Sequence, residues 1–273
     1  MTNRFEVSHS TYGARATREI LQRQIETAVA KLPRGLPTDQ QVHSVRRHMK
    51  AARATLRLLR PLLSERDYRL ENRALRDAAR AFGAARDGAV LVATLGELMP
   101  RAKGNGARRG LAALEARLKQ DAERKRRRLA QRGLRQSAAR LRSSLARVHS
   151  WPEPATNWAA ICRSLRNTYR QGRRCARGNA RNPSTATLHE WRKRAKYLRS
   201  QLEVIAPLQH ASLRSMTGDL RRLSDQLGEE HDLAVLRDLS HQRGFDRTAE
   251  RSLQSLIRKR RRRLRKRAIT SGA

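Results

Sequence analysis

Apolar residues recur at intervals of three and four along nearly the whole of this 273-residue chain, while alternating patterns and β-turn dipeptides are almost absent. That period lines one side of an α-helix and not one face of a strand, so the expected fold is all-α. Proline and glycine punctuation falls at Pro33 to Pro37, Pro61, Pro100 to Gly106, Trp151 to Pro154, Gly178 to Pro183, Pro207 and Gly244. It predicts helices near 15–32, 39–60, 64–82, 84–98, 107–149, 155–177, 187–206, 209–227, 229–242 and 245–267. Gly133 leaves open whether 107–149 is one helix or two.

Two blocks occur twice in the same order. "VHSVRRHMKAAR" from Val42 and "LHEWRKRAKYLR" from Leu188 both fit H-x-x-R-[RK]-x-x-K-x-x-R, 146 residues apart. "GAARDGAVL" from Gly83 and "GEEHDLAVL" from Gly228 share G-x-x-[RH]-D-x-A-V-L at an offset of 145. The chain therefore reads as two copies of one helical unit, 1–150 and 151–273, each large enough for a four-helix bundle.

The first block opens a helix in both copies. Thr187 with Glu190, and Thr38 with Gln41, have the spacing of a capping box. At about 100° per residue, His189, Arg192, Lys193, Lys196 and Arg199 share an arc of about 120°. Trp191, Leu198, Leu202 and Ile205 occupy the opposite side. His43, Arg46, Arg47, Lys50 and Arg53, continued by Arg57, form the same stripe in the first copy, backed by Val45, Met49, Ala52, Leu56 and Leu59. Like charges three and four apart repel by a few tenths of a kcal/mol per pair. Only Glu203 stands near the stripe's far end to offset this, so an anion is expected opposite it. The two histidines hold the same place in both copies, where an imidazole and the free N–H groups of a first helical turn can both face a phosphate. Asp87 and Asp232 lie in basic surroundings, where each can pair with an Arg and hold the stripe's geometry. His231-Asp232 also resembles the H-D pair of a metal phosphohydrolase, but Arg86-Asp87 stands in its place in the first copy and no set of further ligands is evident, so no metal is expected.

Composition agrees with an anionic partner. The chain has 62 Lys+Arg against 24 Asp+Glu, a formal charge of +38, and 53 of the cations are Arg. The guanidinium fork grips phosphate in bidentate fashion, although a high-GC genome inflates Arg in the same way. Each copy ends in a basic run, at 123–132 and 257–267, which a solvated tail also explains. Cys162 and Cys175 have no metal-ligand spacing and imply no disulfide framework. The N-terminal stretch lacks the apolar region of a secretory signal, and the run "GAVLVATLGELM" is too short to cross a bilayer. A cytoplasmic protein without a membrane partner is expected.

At these two blocks the chain resembles the CHAD family, the helical domains named for their histidines, and the resemblance spans both halves. It implies two pseudo-symmetric four-helix bundles whose basic faces border a central groove, with inorganic polyphosphate as ligand and polyphosphate granules as the location. Carried over by position, His43, Arg46, Arg47, Lys50 and Arg53 line one wall and His189, Arg192, Lys193, Lys196 and Arg199 the other. Ala51 and Ala52 stand where the family often has a basic residue and a leucine. A thin flexible polyanion gains Coulomb energy along such a groove and releases counterions, and it needs no aromatic platform, in keeping with 4% aromatic residues.

The expected activity is thus binding without catalysis or cofactor. A nucleic-acid protein using the same cations on backbone phosphates is the alternative, although no zinc finger, RNA-recognition motif or basic zipper is evident. An enzyme acting on polyphosphate is the third reading. Against it stand the lack of a P-loop, of clustered carboxylates for Mg²⁺ and of an E-x-E-x-K pattern.

Overall fold

The computed structural model describes residues 13–152, 158–205, 211–242 and 247–272. All regular structure among them is helical: α1 (Ala14–Ala30), α2 (Asp39–Leu59), α3 (Glu65–Leu98), α4 (Asn105–Arg128), α5 (Leu134–His149), α6 (Trp158–Arg181), α7 (Thr185–Val204), α8 (Ala211–Gln242) and α9 (Arg247–Gly272). The all-α expectation holds. Short 3-10 turns at Arg60–Leu62 and Met99–Arg101 follow α2 and α3, each with a proline as its second residue, where the ring stops the α-helical ladder. The question at Gly133 resolves as continuity: a π-helical turn, Leu129–Gly133, joins α4 to α5.

Two expected breaks are absent. Gly83 and Gly228 lie inside α3 and α8, which run through what the sequence divides into 64–82 with 84–98 and 209–227 with 229–242. A mid-helix glycine costs only about 1 kcal/mol relative to alanine, which packing along a long helix outweighs. The expected starts at 155, 209 and 245 and the expected end at 206 lie outside the described residues.

Helix starts follow side-chain chemistry. Thr38 and Gln41 form the expected capping box, with Gln41 N–H donating to Thr38 Oγ1 (3.2 Å) and Thr38 N–H to Gln41 Oε1 (2.9 Å). The box expected at Thr187 and Glu190 is displaced by one turn. Thr187 N–H donates to Ser184 Oγ (3.1 Å) and Ser184 N–H to Thr187 Oγ1 (2.9 Å), so Ser184 is the cap and α7 begins at Thr185. The Thr187 hydroxyl also donates to Asn179 Oδ1 (2.8 Å), and Glu190 is free to serve cations further along.

The chain forms two compact units that interleave along the sequence. One comprises Met1–Gly83, Arg126–Arg170 and Tyr197–Thr217, the other Ala84–Lys125, Gln171–Lys196 and Gly218–Ala273. In the first, Leu21 and Ile25 of α1, Val45, Met49 and Leu56 of α2, Leu75 and Phe82 of α3 and Leu141 of α5 are all fully buried. Buried Glu71 of α3 accepts hydrogen bonds from Ser144 and Arg147 of α5.

In the second unit four helices share one core: Leu91, Leu95 and Leu98 of α3, Leu111, Leu114 and Leu118 of α4, Leu233 and Leu236 of α8, and Leu253, Ile257 and Leu264 of α9. A smaller cluster packs Leu188, Trp191 and Ala195 of α7 against Leu223 and Leu227 of α8. Among the described residues no helix is long and apolar enough to cross a membrane.

Candidate functional site

The stripe on α2 lies in the first unit. Its apolar back, Val45, Met49, Ala52, Leu56 and Leu59, is buried as the periodicity requires. His43, Arg47 and Lys50 are exposed, while Arg46, Arg53 and Arg57 are half-buried. Arg46 donates to the Ala79 carbonyl of α3 (3.2 Å) and lies against Gly83, where an added Cβ would stand 3.2 Å from its Nη1. The glycine opening the second sequence block is thus the seat for the arginine of the first. Arg53 donates from Nε and Nη2 to Asn72 Oδ1 (3.4 and 3.3 Å), and burial, then the charge of Arg57, lowers its pKa. Arg57 lies over the Tyr197 ring, 3.9 Å from its centroid, and donates to the Arg53 carbonyl (2.9 Å). Ala54 and Leu58 are buried on this same side, so the exposed stripe ends near Lys50. Arg199 also belongs to this unit and pairs with Glu203 (3.4 Å).

His189, Arg192, Lys193 and Lys196 lie in the second unit. The apolar side of α7 is buried along its length: Trp191, Leu198, Leu202 and Ile205 range from 0 to 8% exposed. Arg192 leans towards α8, 3.9 Å from where a Cβ on Gly228 would stand, and its Nη2 is 4.0 Å from Asp232 Oδ1. That is the expected carboxylate–arginine pairing. Burial lowers the Arg192 pKa, opposed by Asp232 and then Asp87. Burial raises the Asp232 carboxyl, against the pull of Arg192, Lys196 and Arg86. Lys193 is less available than its arc suggested, because Glu190 holds it at 2.6 Å and Arg194 at 2.7 Å. The Lys193 bond, more than any other cause, lowers the Glu190 pKa.

His231 completes this cluster and was absent from the sequence-derived set. Its ring centroid is 4.7 Å from that of His189, at an interplanar angle of 44°. Burial, then Arg192 and His189, push its pKa down to about 4, and burial followed by Lys193 and Arg192 lowers that of His189. Both imidazoles are therefore neutral at pH 7. Nδ1 of each histidine and Nε of Arg192 are buried without a hydrogen-bond partner among the described residues. An unsatisfied buried polar atom costs about 1–3 kcal/mol, and the Nε–H of Arg192 is a donor that only an acceptor could satisfy. The signal for His231 was its position, since [RH] of the second block is basic in both copies. Asp232 faces Arg192, and among the described residues no three His, Cys, Asp or Glu side chains come together as a metal site. Cys162 and Cys175 are free, half-buried thiols, raised in pKa by burial.

A family model described as the CHAD domain matches residues 19–241. Two solved structures share the fold. The crystal structure of the CHAD domain from the plant Ricinus communis superposes with a TM-score of 0.63 at 22% identity, covering 92% of this chain and 84% of that one. PptA from Streptomyces chartreusis superposes with a TM-score of 0.66 at 15% identity, covering 95% of this chain and 98% of that one. Among curated proteins, none matches.

Proposed function

The chain belongs to the CHAD domain family, and from that premise we propose that it binds inorganic polyphosphate without chemically transforming it, through the cations of α2 and α7. The reading is carried by the cluster of His189, His231, Arg192 and Lys196, in which the two imidazole rings lie 4.7 Å apart beside Arg192 and Asp232 stands within ion-pair distance of that arginine. Half-buried cations repel one another more strongly than solvated ones. A chain of phosphates supplies compensating charge and hydrogen-bond acceptors together. Two neutral imidazoles beside it each offer an N–H donor now and a full charge once the anion raises their pKa. The α2 stripe adds His43, Arg47 and Lys50 as exposed contacts, with Arg46 half-buried behind them. Polyphosphate granules are the cellular location that fits this ligand.

The test is fluorescence anisotropy with labelled long-chain polyphosphate at about 150 mM salt, where exposed charges are screened beyond about 8 Å. His189→Ala combined with Arg192→Ala and Lys196→Ala is expected to lower the affinity about tenfold or more, with helix content unchanged. Normal binding by that variant refutes the assignment. Retention of the polymer against a phosphate-equivalent excess of duplex DNA or RNA separates this reading from nucleic-acid backbone binding.

A further inference from the structure

The basic run 257–267 is not a frayed tail: α9 extends from Arg247 to Gly272, and Leu253, Ile257 and Leu264 lie in the four-helix core of the second unit. Apart from exposed Arg267, its cations fall into two classes. Arg260, Arg261 and Arg265 turn inward, Arg261 and Arg265 onto buried Glu230 (2.8 and 2.9 Å) and Arg260 onto Glu229. Arg258, Lys259, Arg262, Arg263 and Lys266 are exposed and line, with Ser255, an open depression of about 550 Å³. No side chain of these five makes a hydrogen bond or ion pair with a described residue. The other run differs: Arg124 is held by Asp121, and Arg126 pairs with Asp39 at 3.1 Å.

We propose that this face of α9 is a second polyphosphate-binding surface, which makes the protein bivalent for one polymer; the proposal rests on polyphosphate being the ligand. At about 1.5 Å per residue the five cations span about 12 Å of axis, and at about 100° per residue they spread over an arc of about 140°. Nothing acidic relieves them on their own element, whose lone carboxylate, Glu250, is two turns away. The ion pairs of Arg260, Arg261 and Arg265, of which that between Arg261 and Glu230 is buried, fix the helix that carries the patch, so the cations are held together before a ligand arrives. A thin flexible chain can follow an arc of this width and meet all five. The stiff cylinder of a duplex touches a convex helix along a narrow line, and the depression has no aromatic platform on which single-stranded bases could stack.

Calorimetric titration of the full-length protein with a short-chain polyphosphate is expected to show two binding events. R258Q/R262Q/R263Q should remove one, and H189A/R192A/K196A the other. The α9 variant should also lose about tenfold or more in affinity for long-chain polymer, since two linked sites reinforce one another. Glutamine keeps the helix at these exposed positions, and R262Q alone, weakening the same event several-fold, serves if the triple variant misfolds. Two events with unchanged affinity in the α9 variants overturn the proposal. So does duplex DNA displacing the short chain from H189A/R192A/K196A at equal phosphate concentration. Full binding by H189A/R192A/K196A together with its loss in the α9 variant leaves the second surface standing and refutes the α7 site.

Discussion

On the proposed reading, His231 is the residue whose protonation a bound phosphate would change most, because its pKa is pushed furthest down in the free protein. Without ligand, burial and the neighbouring Arg192, His189 and Lys196 hold its pKa near 4, with Glu230 pulling the other way. The unfolded chain titrates near 6.5 and binds more protons than the folded one between those values. Stability of the free protein therefore falls as pH drops from about 6.5 towards 4. A phosphate beside the imidazoles reverses the local field, so binding draws in protons and affinity rises as pH falls from about 7 to about 5. Calorimetry near pH 6 in buffers of different ionisation enthalpy should record this uptake, and it should largely vanish in H189Q/H231Q, leaving the share due to Asp232. Affinity flat across that range would separate the histidines from the ligand. The stripe histidine was legible because it repeats at a fixed offset; its ring partner comes from a second block 42 residues further on, and only packing brings the two together.

At the scale of elements, α9 is held to α8 by charge as well as by leucines. Glu230 is 2% exposed and faces Arg261, whose side chain is 6% exposed. Removing one partner of a buried pair strands the other, at a cost of about 3–5 kcal/mol. Glu230→Gln should therefore lower the denaturant midpoint strongly, and pairing it with Arg261→Gln should recover part of the loss; simple additivity would show the two do not couple. A tighter contact lies on α4, where any Cβ on Gly110 would collide with the Ala249 methyl of α9. Gly110→Val should destabilise the second unit by about 1–3 kcal/mol in chemical denaturation. Helix content, the α2 cap and both apolar backs were legible because each depends on neighbours within one or two turns. The continuity of α3 and α8 was not. Gly83 and Gly228 signal a stop locally, while what sets Gly83 in mid-helix is an arginine on another helix, Arg46, whose Nη1 a Cβ there would approach to 3.2 Å; at Gly228 a Cβ would make only ordinary contact with Arg192. The three inward arginines of the 257–267 run were hidden likewise, because Glu229 and Glu230 lie some thirty residues earlier in the chain.

For the whole molecule the governing quantity is the net charge of +38, which draws any polyanion and is screened over about 8 Å at physiological salt. Attraction of that kind depends on how many cations are present and little on where they stand. A built site depends on position. R192Q/K196Q and R135Q/R142Q remove the same charge, the first pair from the α7 stripe and the second from the exposed side of α5. If bulk charge governs binding, the two variants should lose equal affinity for polyphosphate. The clustering of Arg192 and Lys196 with two imidazoles requires inequality: R192Q/K196Q should lose about tenfold or more and flatten the plot of log affinity against log salt by roughly one unit per contact removed. R135Q/R142Q should change affinity less than about twofold at 150 mM salt and leave the slope nearly as it was. Anisotropy titrations of both variants over a range of salt concentrations decide between the two accounts, and equal losses with equal slopes would transfer the function from the stripe to the charge of the protein as a whole.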